Sequence, residues 1–498
     1  MSEIQPHISY RACAPPLMRQ RPGSDRLQFR KSLVVLKLTM NTFRSSVVFS
    51  LALLATAFGP PALGLPDASP AGVTAFIGVN VVPMDRERVM WNQTVLVADG
   101  KIVAVGRRLA IPKNAHVVDG HGAFLSPGLA DMHTHSDTSE DMKVYLANGV
   151  TSVLSMGGAS AGFMDQVRPE VNDGKIPGPH VYAAFRVDGS PQYNNVIIAT
   201  PDEARAIVRI AKTNGYQFIK VYDDLSPACF QALIDEGRIQ HMPVVGHGVT
   251  AVGLRRQLAA GQVMVAHTEE FLYTVFYDPN HIPETGAPDP AQIPGVIDFV
   301  LRDKAFVTAD LNTYATIARQ WGRPKVVAAL LRMPEVRYLN PRDRILWARE
   351  DYKTRNGSLA PRLAFLRRFT KAMSDAGVPL IAGTDAPPTP GLVPGFSLHD
   401  DLDALERAGL SPYQALATAT RTAGQFIRRS LPAEELFGSV APGNRADLIL
   451  SRGNPLRDLS TLRKPLGVMA DGKWYSASEL HALLRGVAAE YEAAFTRR

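Results

Sequence analysis

From residue 73 onward, apolar and polar positions alternate in short runs: TAFIGVNVVPMD, then QTVLVADGKIVAVG, then HVVDG. Period-two alternation predicts half-buried strands. Asp99-Gly100 between two such runs reads as a hairpin turn, because both residues tolerate the positive φ such turns need. The device returns near the C terminus in RADLILSRGNPL and LGVMADGKWYS, with Asp471-Gly472 at the turn. Two β-rich ends that share the tetrapeptide ADGK predict one small β-sandwich domain built from residues 65–127 and 438–478. A C-terminal helix is expected over 479–498.

Between the ends, short apolar runs alternate with helical stretches. The strand candidates are FLSPGLADMHTH, VTSVLSM, HVYAAFRV, QFIKVYDD, MPVVGHG, VMVAHTE, AFVTADL and PLIAGTDA. Eight strands alternating with helices predict an α/β fold, a (β/α)8 TIM barrel over 128–437. A doubly wound open sheet uses the same alternation, so the count alone leaves both. Two connections are long: Asn312–Ala376, rich in helix and charge, and Phe276–Pro294, with five prolines. Insertions on the C-terminal side of barrel strands wall or cover a pocket, or else decorate the surface.

The formal charge of +7 suggests a nucleic-acid partner until its position is considered. Residues 1–39 hold seven basic side chains against two acidic ones, and 40–64 add Arg44, so the rest of the chain carries only +1. No nucleic-acid partner is therefore expected. Residues 40–64, MNTFRSSVVFSLALLATAFGPPALG, join a basic start, an apolar run and small residues. They read as a signal peptide whose apolar run is short for a membrane span, with an uncleaved anchor as the alternative. A start at Met40 then makes better sense than Met1, and residues 1–39 become a disordered extension or an over-extended start. The expected location is periplasmic or secreted, with no stable membrane insertion after cleavage. Only Cys229 of the two cysteines lies beyond this segment, so no disulfide framework is expected and Cys229 reads as a small buried apolar residue.

Chemistry enters at ADMHTHSD. Side chains two apart on a strand share a face, so His133 and His135 emerge together. Alone the pair says little. Lys220, however, ends YQFIK, His247 ends PVVGH, His267 ends VMVAH and Asp385 ends PLIAGTD. Each is the first strongly polar side chain at the C-terminal edge of its strand, where barrel enzymes carry their catalytic groups. Singly, Lys220 could be a rim lysine with a buried stem, and Asp385 a helix cap.

With these six positions in order, residues 73–478 resemble the amidohydrolase superfamily. AGLSPYQALATAT (408–420) and GSVAPGNRADLIL (438–450) are also similar to that family, and FIKVYDDLSPACFQALIDEG looks like its imidazolonepropionase-like and Xaa-Pro dipeptidase-like branch. The resemblance implies two divalent metal ions, Zn²⁺ by donor type. His133, His135 and Asp385 would hold one, and His247 and His267 the other. Lys220, carrying a CO₂-derived carbamate, would bridge them. It implies a metal-activated hydroxide and proton transfer by Asp385.

The bridging lysine also argues against a deaminase, since GHGVTAVG lacks the acid/base glutamate that mononuclear deaminases of the superfamily carry near the strand-five histidine. The substrate is expected to be a small molecule with an amide bond, a dipeptide or N-acyl amino acid. A cyclic amide, lactone or ester is the alternative, and a non-catalytic binding protein the reading from another class. Arg186, Tyr222 and Tyr273 stand where they would meet substrate. Glu269, with Glu270 beside it, would orient a histidine, touch substrate or start a loop. His399 would approach the pocket or make a structural hydrogen bond. A homo-oligomer is left open.

Overall fold

A computed structural model describes residues 72–279, 281–283 and 285–496; the extension 1–39 and the signal segment 40–64 lie outside the described residues. The N-terminal part forms β1 (Thr74–Val81), β2 (Met90–Ala98), β3 (Lys101–Gly106), β4 (His116–Asp119) and β5 (Phe124–Pro127). Then come β6 (Leu129–Thr134), β7 (Val150–Ser155), β8 (His180–Asp188), β9 (Val196–Ile197) and β10 (Phe218–Val221). They are followed by β11 (Val244–Gly246), β12 (Met264–Val265), β13 (Phe306–Thr308) and β14 (Leu380–Ile381). The chain returns as β15 (Leu448–Ser451), β16 (Gly467–Ala470) and β17 (Lys473–Ser476).

The two ends build one mixed sheet in the order β17-β16-β15-β5-β1-β2-β3, with β4 on β1. Phe76 on β1 meets Trp474 on β17 edge to face, 5.1 Å between centroids, although three strands separate them in the sheet. The sheet therefore folds over into two layers, with Val79, Val81, Leu125, Leu448 and Met469 between them. The twin turns meet. Asp99, Gly100, Asp471 and Gly472 all have φ between 47° and 75°. A Cβ on Gly472 would lie 2.6 Å from the Gly100 Cα, so this contact needs glycine.

One residue, Gly128, joins sandwich to barrel. Its N–H donates to the Asp447 carbonyl (2.8 Å), and a Cβ there would strike Thr151 Oγ1 at 2.2 Å. Eight parallel strands follow in the order β6-β7-β8-β10-β11-β12-β13-β14. The His135 N–H donates to the Ala386 carbonyl (2.7 Å) and that of Met132 to the Ala382 carbonyl (3.0 Å), joining last strand to first. That closure removes the open-sheet alternative.

Connecting helices follow local rules. Thr200 and Glu203 form a reciprocal cap at the start of helix Pro201–Thr213, which buries Ala204, Val208 and Ala211 against the outside of β8 and β10. The Asn312–Ala376 insertion contains helices Pro324–Leu330, Pro341–Arg349 and Ala360–Asp375. Trp347 Nε1 donates to the Pro387 carbonyl (2.7 Å), and Arg362 Nε to the Gly286 carbonyl (3.1 Å). The two insertions are thus tied to each other and to the loop after β14. The last helix, Ala477–Thr496, packs Val487 and Tyr491 on Val144 of helix Ser139–Ala147. Among the described residues no helix is long and apolar enough to cross a membrane. Cys229 is buried.

Candidate metal centre

The inward row of the barrel runs through Ala130 and Met132, Leu154, Tyr182, Phe218, Val245, Met264 and Ala266, Phe306 and Ile381. Their neighbours Val153, Ile219, Val244, Val265 and Val307 face the outer helices. Counting on by two brings Lys220 and His247 inward past Phe218 and Val245, and Asp385 past Ile381. His133 and His267 directly follow inward residues and are out of phase by one. The backbone corrects both. The β6–β7 register slips between Asp131 and Thr134, a β-bulge that re-aims His133. His267 adopts φ 79°. Asp310 (φ 44°) and Asp385 (φ 54°) are also left-handed, each costing on the order of 1 kcal/mol or more.

These devices bring the predicted residues together. Asp385 Oδ1 lies 3.0 Å from His135 Nε2 and 3.3 Å from His133 Nε2. Lys220 Nζ is 3.4 Å from His133 Nε2. The His133 and His267 rings stack at 4.3 Å, and His247 stands edge-on to His267 at 5.2 Å. One ligand atom each from His133, His267 and Asp385 falls within 4.8 Å of the others.

The outward nitrogens form a pattern. His135 Nδ1 meets the Gly157 carbonyl at 2.8 Å. His247 Nδ1 lies 3.3 Å from both Asp223 and Glu270. His267 Nδ1 is 2.5 Å from Asp310 Oδ2, and His133 Nδ1 is 3.2 Å from the same oxygen at a less direct angle. A carbonyl or carboxylate at Nδ1 selects the Nδ1–H tautomer and leaves Nε2 as a lone pair. His247 Nε2 is buried without a hydrogen-bond partner among the described residues.

Electrostatics points the same way at His133 and His247. Burial, then the Lys220 charge, drives the His133 and His247 imidazoles well below their usual range, so both are neutral donors. His267 differs: burial alone would depress it, but the Asp310 charge and hydrogen bond raise it to about 9, so its Nε2 becomes a donor only when a cation displaces its proton. Burial opposes the ionised form of Asp385, yet the His135 hydrogen bond and the surrounding imidazoles hold its carboxyl well below the carboxylate range. Lys220 is 0% exposed and, among the described ion pairs, has no carboxylate partner; burial pushes its amine down to about 8. A buried unpaired ammonium is costly, and the neutral amine is the form that adds CO₂. A carbamate would turn this misfit into an anionic ligand. The imidazole and carboxylate donors therefore fit a divalent-metal site, with His133, His267 and Asp385 close enough to share a cation.

The remaining predicted residues divide. Tyr222 packs on His247 at 4.0 Å, and the Arg186 guanidinium lies 5.6 Å above the Tyr222 ring. An Arg186 terminal nitrogen donates to the Tyr193 carbonyl, while Nε has no hydrogen-bond partner. Burial pushes Glu269 up to about 7, with His267 and Arg362 opposing and Asp385 and Asp310 reinforcing. Tyr273, on the short helix Leu272–Phe276, acts electrostatically on the same Arg362. His399 is a correction to the expected substrate contact. It is 2% exposed, and its Nε2 meets the Asn148 carbonyl at 2.9 Å in the packing around helix Phe396–Arg407. Burial depresses it to about 4, and its role there is structural.

Sequence reading missed Asp310, Asp223 and Asp131, and took Glu270 only as a neighbour of Glu269. Asp131 accepts from the His133 N–H (3.3 Å) and Thr384 Oγ1 (2.7 Å), binding the first strand to the last loop. Asp310 closes FVTAD as Asp385 closes IAGTD, so the same edge rule applied to strand seven would have found it.

A family model for the Amidohydrolase family matches residues 124–475. Among curated proteins the chain is similar to Ochratoxinase of Aspergillus niger, 25% identical over 467 residues, spanning 80% of this chain and 85% of that protein. Among solved structures it is similar to a putative prolidase from Bifidobacterium longum, at 24% identity and TM-score 0.58, over 84% of this chain and 99% of that one. It is likewise similar to bottromycin amidohydrolase, at 23% identity and TM-score 0.62, over 84% and 90%. At these identities the structural matches show the fold.

Proposed function

The chain belongs to the Amidohydrolase family, and from that premise we propose that it hydrolyses the amide bond of a dipeptide or an N-acyl amino acid with two divalent cations, Zn²⁺ first among candidates. His133, His135 and Asp385 would hold one cation, His247 and His267 the other, and carboxylated Lys220 would join them. When bound, such a pair acidifies water and polarises the scissile carbonyl. The observation that carries the reading is the common orientation of His135, His247 and His267, each with Nδ1 against a protein acceptor, around the same carboxylate-lined rim that holds His133.

Asp385 is ionised and engaged by His135 and His133, so it is placed to take the proton released by water and return it to the leaving amine. Arg186 keeps Nε for a substrate carboxylate, and Tyr222 fixes the guanidinium plane above its ring. The names of the similar proteins, a prolidase and an amidohydrolase among them, favour an amide rather than an ester. The reading extends to location: the signal-like segment 40–64 supports export to the periplasm or medium.

The test is a hydrolysis screen of Xaa-Pro and other dipeptides, N-acyl amino acids, cyclic imides and lactones, run beside elemental analysis. Turnover of the first two classes with close to two cations per chain is expected. Turnover confined to cyclic imides or lactones would replace the substrate class, and a chain binding no cation would remove the mechanism. Cell fractionation checks export; full retention in the cytoplasm would refute it.

A further inference from the structure

We infer that Asp310 is a positioning residue that couples the two halves of the centre, through one carboxylate oxygen shared by a histidine from each. The inference rests on the two-cation reading above. Asp310 follows β13 and is 2% exposed. Its Oδ2 receives the Thr308 hydroxyl at 2.9 Å, and faces His267 Nδ1 at 2.5 Å and His133 Nδ1 at 3.2 Å. His133 serves one cation and His267 the other, and their stacked rings differ by only 23° in plane. The oxygen is hydrogen-bonded to His267, while His133 Nδ1 stands 3.2 Å from it without a hydrogen bond. A negative charge that close to both rings favours the proton on each Nδ1 and so turns both Nε2 lone pairs the same way.

The space for this arrangement is specific. A Cβ on Gly383 would lie 2.3 Å from Asp310 Oδ1 and 2.7 Å from His133 Cβ, so the last strand leaves room for the carboxylate beside the ring. The backbone of Asp310 takes φ 44° to reach it. The other two imidazoles have acceptors of their own, the Gly157 carbonyl for His135 and Asp223 with Glu270 for His247. Loss of Asp310 should therefore loosen both halves together, whereas loss of the Glu270 charge should loosen only the half containing His247.

The experiment strips full-length protein with a chelator and titrates Zn²⁺ back against a chromophoric competitor, reading two site affinities without assaying turnover. Asp310→Asn is expected to weaken both sites in parallel, each by about 10–100-fold. Glu270→Gln is expected to weaken one. Should Asp310→Asn fail to fold, Thr308→Val removes the hydroxyl that orients the carboxylate and also accepts the His267 N–H at 3.0 Å. The site of His267 then weakens directly, and a smaller weakening at the site of His133 is what reports the coupling. Weakening of a single site, or of neither, in the folded Asp310→Asn or Thr308→Val protein overturns the coupling and leaves the proposed function standing. A wild-type protein with no Zn²⁺ site overturns both.

Discussion

Both ends of the barrel bury full charges, and they treat them in opposite ways. At the N-terminal mouth Arg445 reaches Asp447 Oδ2 at 2.6–2.7 Å, Ser152 Oγ at 2.5 Å and Tyr182 at 3.5 Å, beneath the ring of Phe437. Asp447 also accepts the Asp471 N–H at 2.9 Å. Burial works against the Arg445 cation, but the carboxylate beside it keeps it charged. At the C-terminal rim, among the described residues, Lys220 has no carboxylate within ion-pair distance and His247 Nε2 has no hydrogen-bond partner. A closed polar network stabilises and specifies a fold, whereas an open one marks a place prepared for something else. The lower pair is a structural stopper; the upper cluster is a site.

The sharpest way to break this contrast is at the rim. Asp385→Asn is expected to leave the fold intact and lower kcat/KM by about 10²–10⁴-fold, the range for removing a positioned proton-transfer group. Lys220→Ala should lose as much turnover and most bound metal together, read by elemental analysis. Full metal content and full turnover in Lys220→Ala would show that the buried amine is not a ligand.

The mouth should answer differently. Arg445→Met strands Asp447 as a buried unpaired carboxylate and is expected to cost about 3–5 kcal/mol in denaturant unfolding. Turnover per folded molecule should stay near wild type. A large fall in turnover with little change in stability would make the two ends alike.

How far the sequence reaches follows from the same geometry. Alternation and ADGK turns reveal the end-built sheet, because a strand's period survives in its composition. Lys220, His247 and Asp385 are legible because they continue the inward row of their own strands. His133 and His267 are legible as residue types but not as geometry: each sits one step out of phase and depends on a bulge or a left-handed backbone. Asp223 and Glu270 are hidden for another reason. They act on histidines far from them in sequence, and an acid in a loop reads as a cap or a solvated charge. His399 is the opposite case: of its two readings, pocket residue and structural hydrogen bond, the second holds, with the Asn148 carbonyl as its partner.

His399 supplies a smaller effect that separates structural from site histidines. Its folded value near 4 lies below the ordinary 6.5, so the unfolded chain binds more protons between those values. The stability it contributes is fully present above about pH 6.5 and is lost as pH falls towards 4, on the order of 3 kcal/mol at most. His399→Gln should flatten the pH dependence of the unfolding midpoint in that window. An unchanged slope would mean that the ring is not held neutral by burial.

The smallest expected effect tests the stopper from within. If the mouth pair serves structure alone, its charges are dispensable when both leave. Arg445→Met combined with Asp447→Asn removes cation and anion together while keeping an oxygen for the Asp471 N–H. The new amide N–H₂ can turn to the hydroxyls that Arg445 vacates. The double variant is therefore expected to recover most of the single variant's loss, ending within about 1–2 kcal/mol of wild type. Comparable rescue is not open to the rim, where the carboxylates that act on Lys220, Asp385 first, do so from beyond ion-pair contact and belong to the site itself. If the double variant were as unstable as Arg445→Met alone, the hydrogen bonds from Arg445 to Ser152 and Tyr182, rather than the paired charges, would be what closes the barrel.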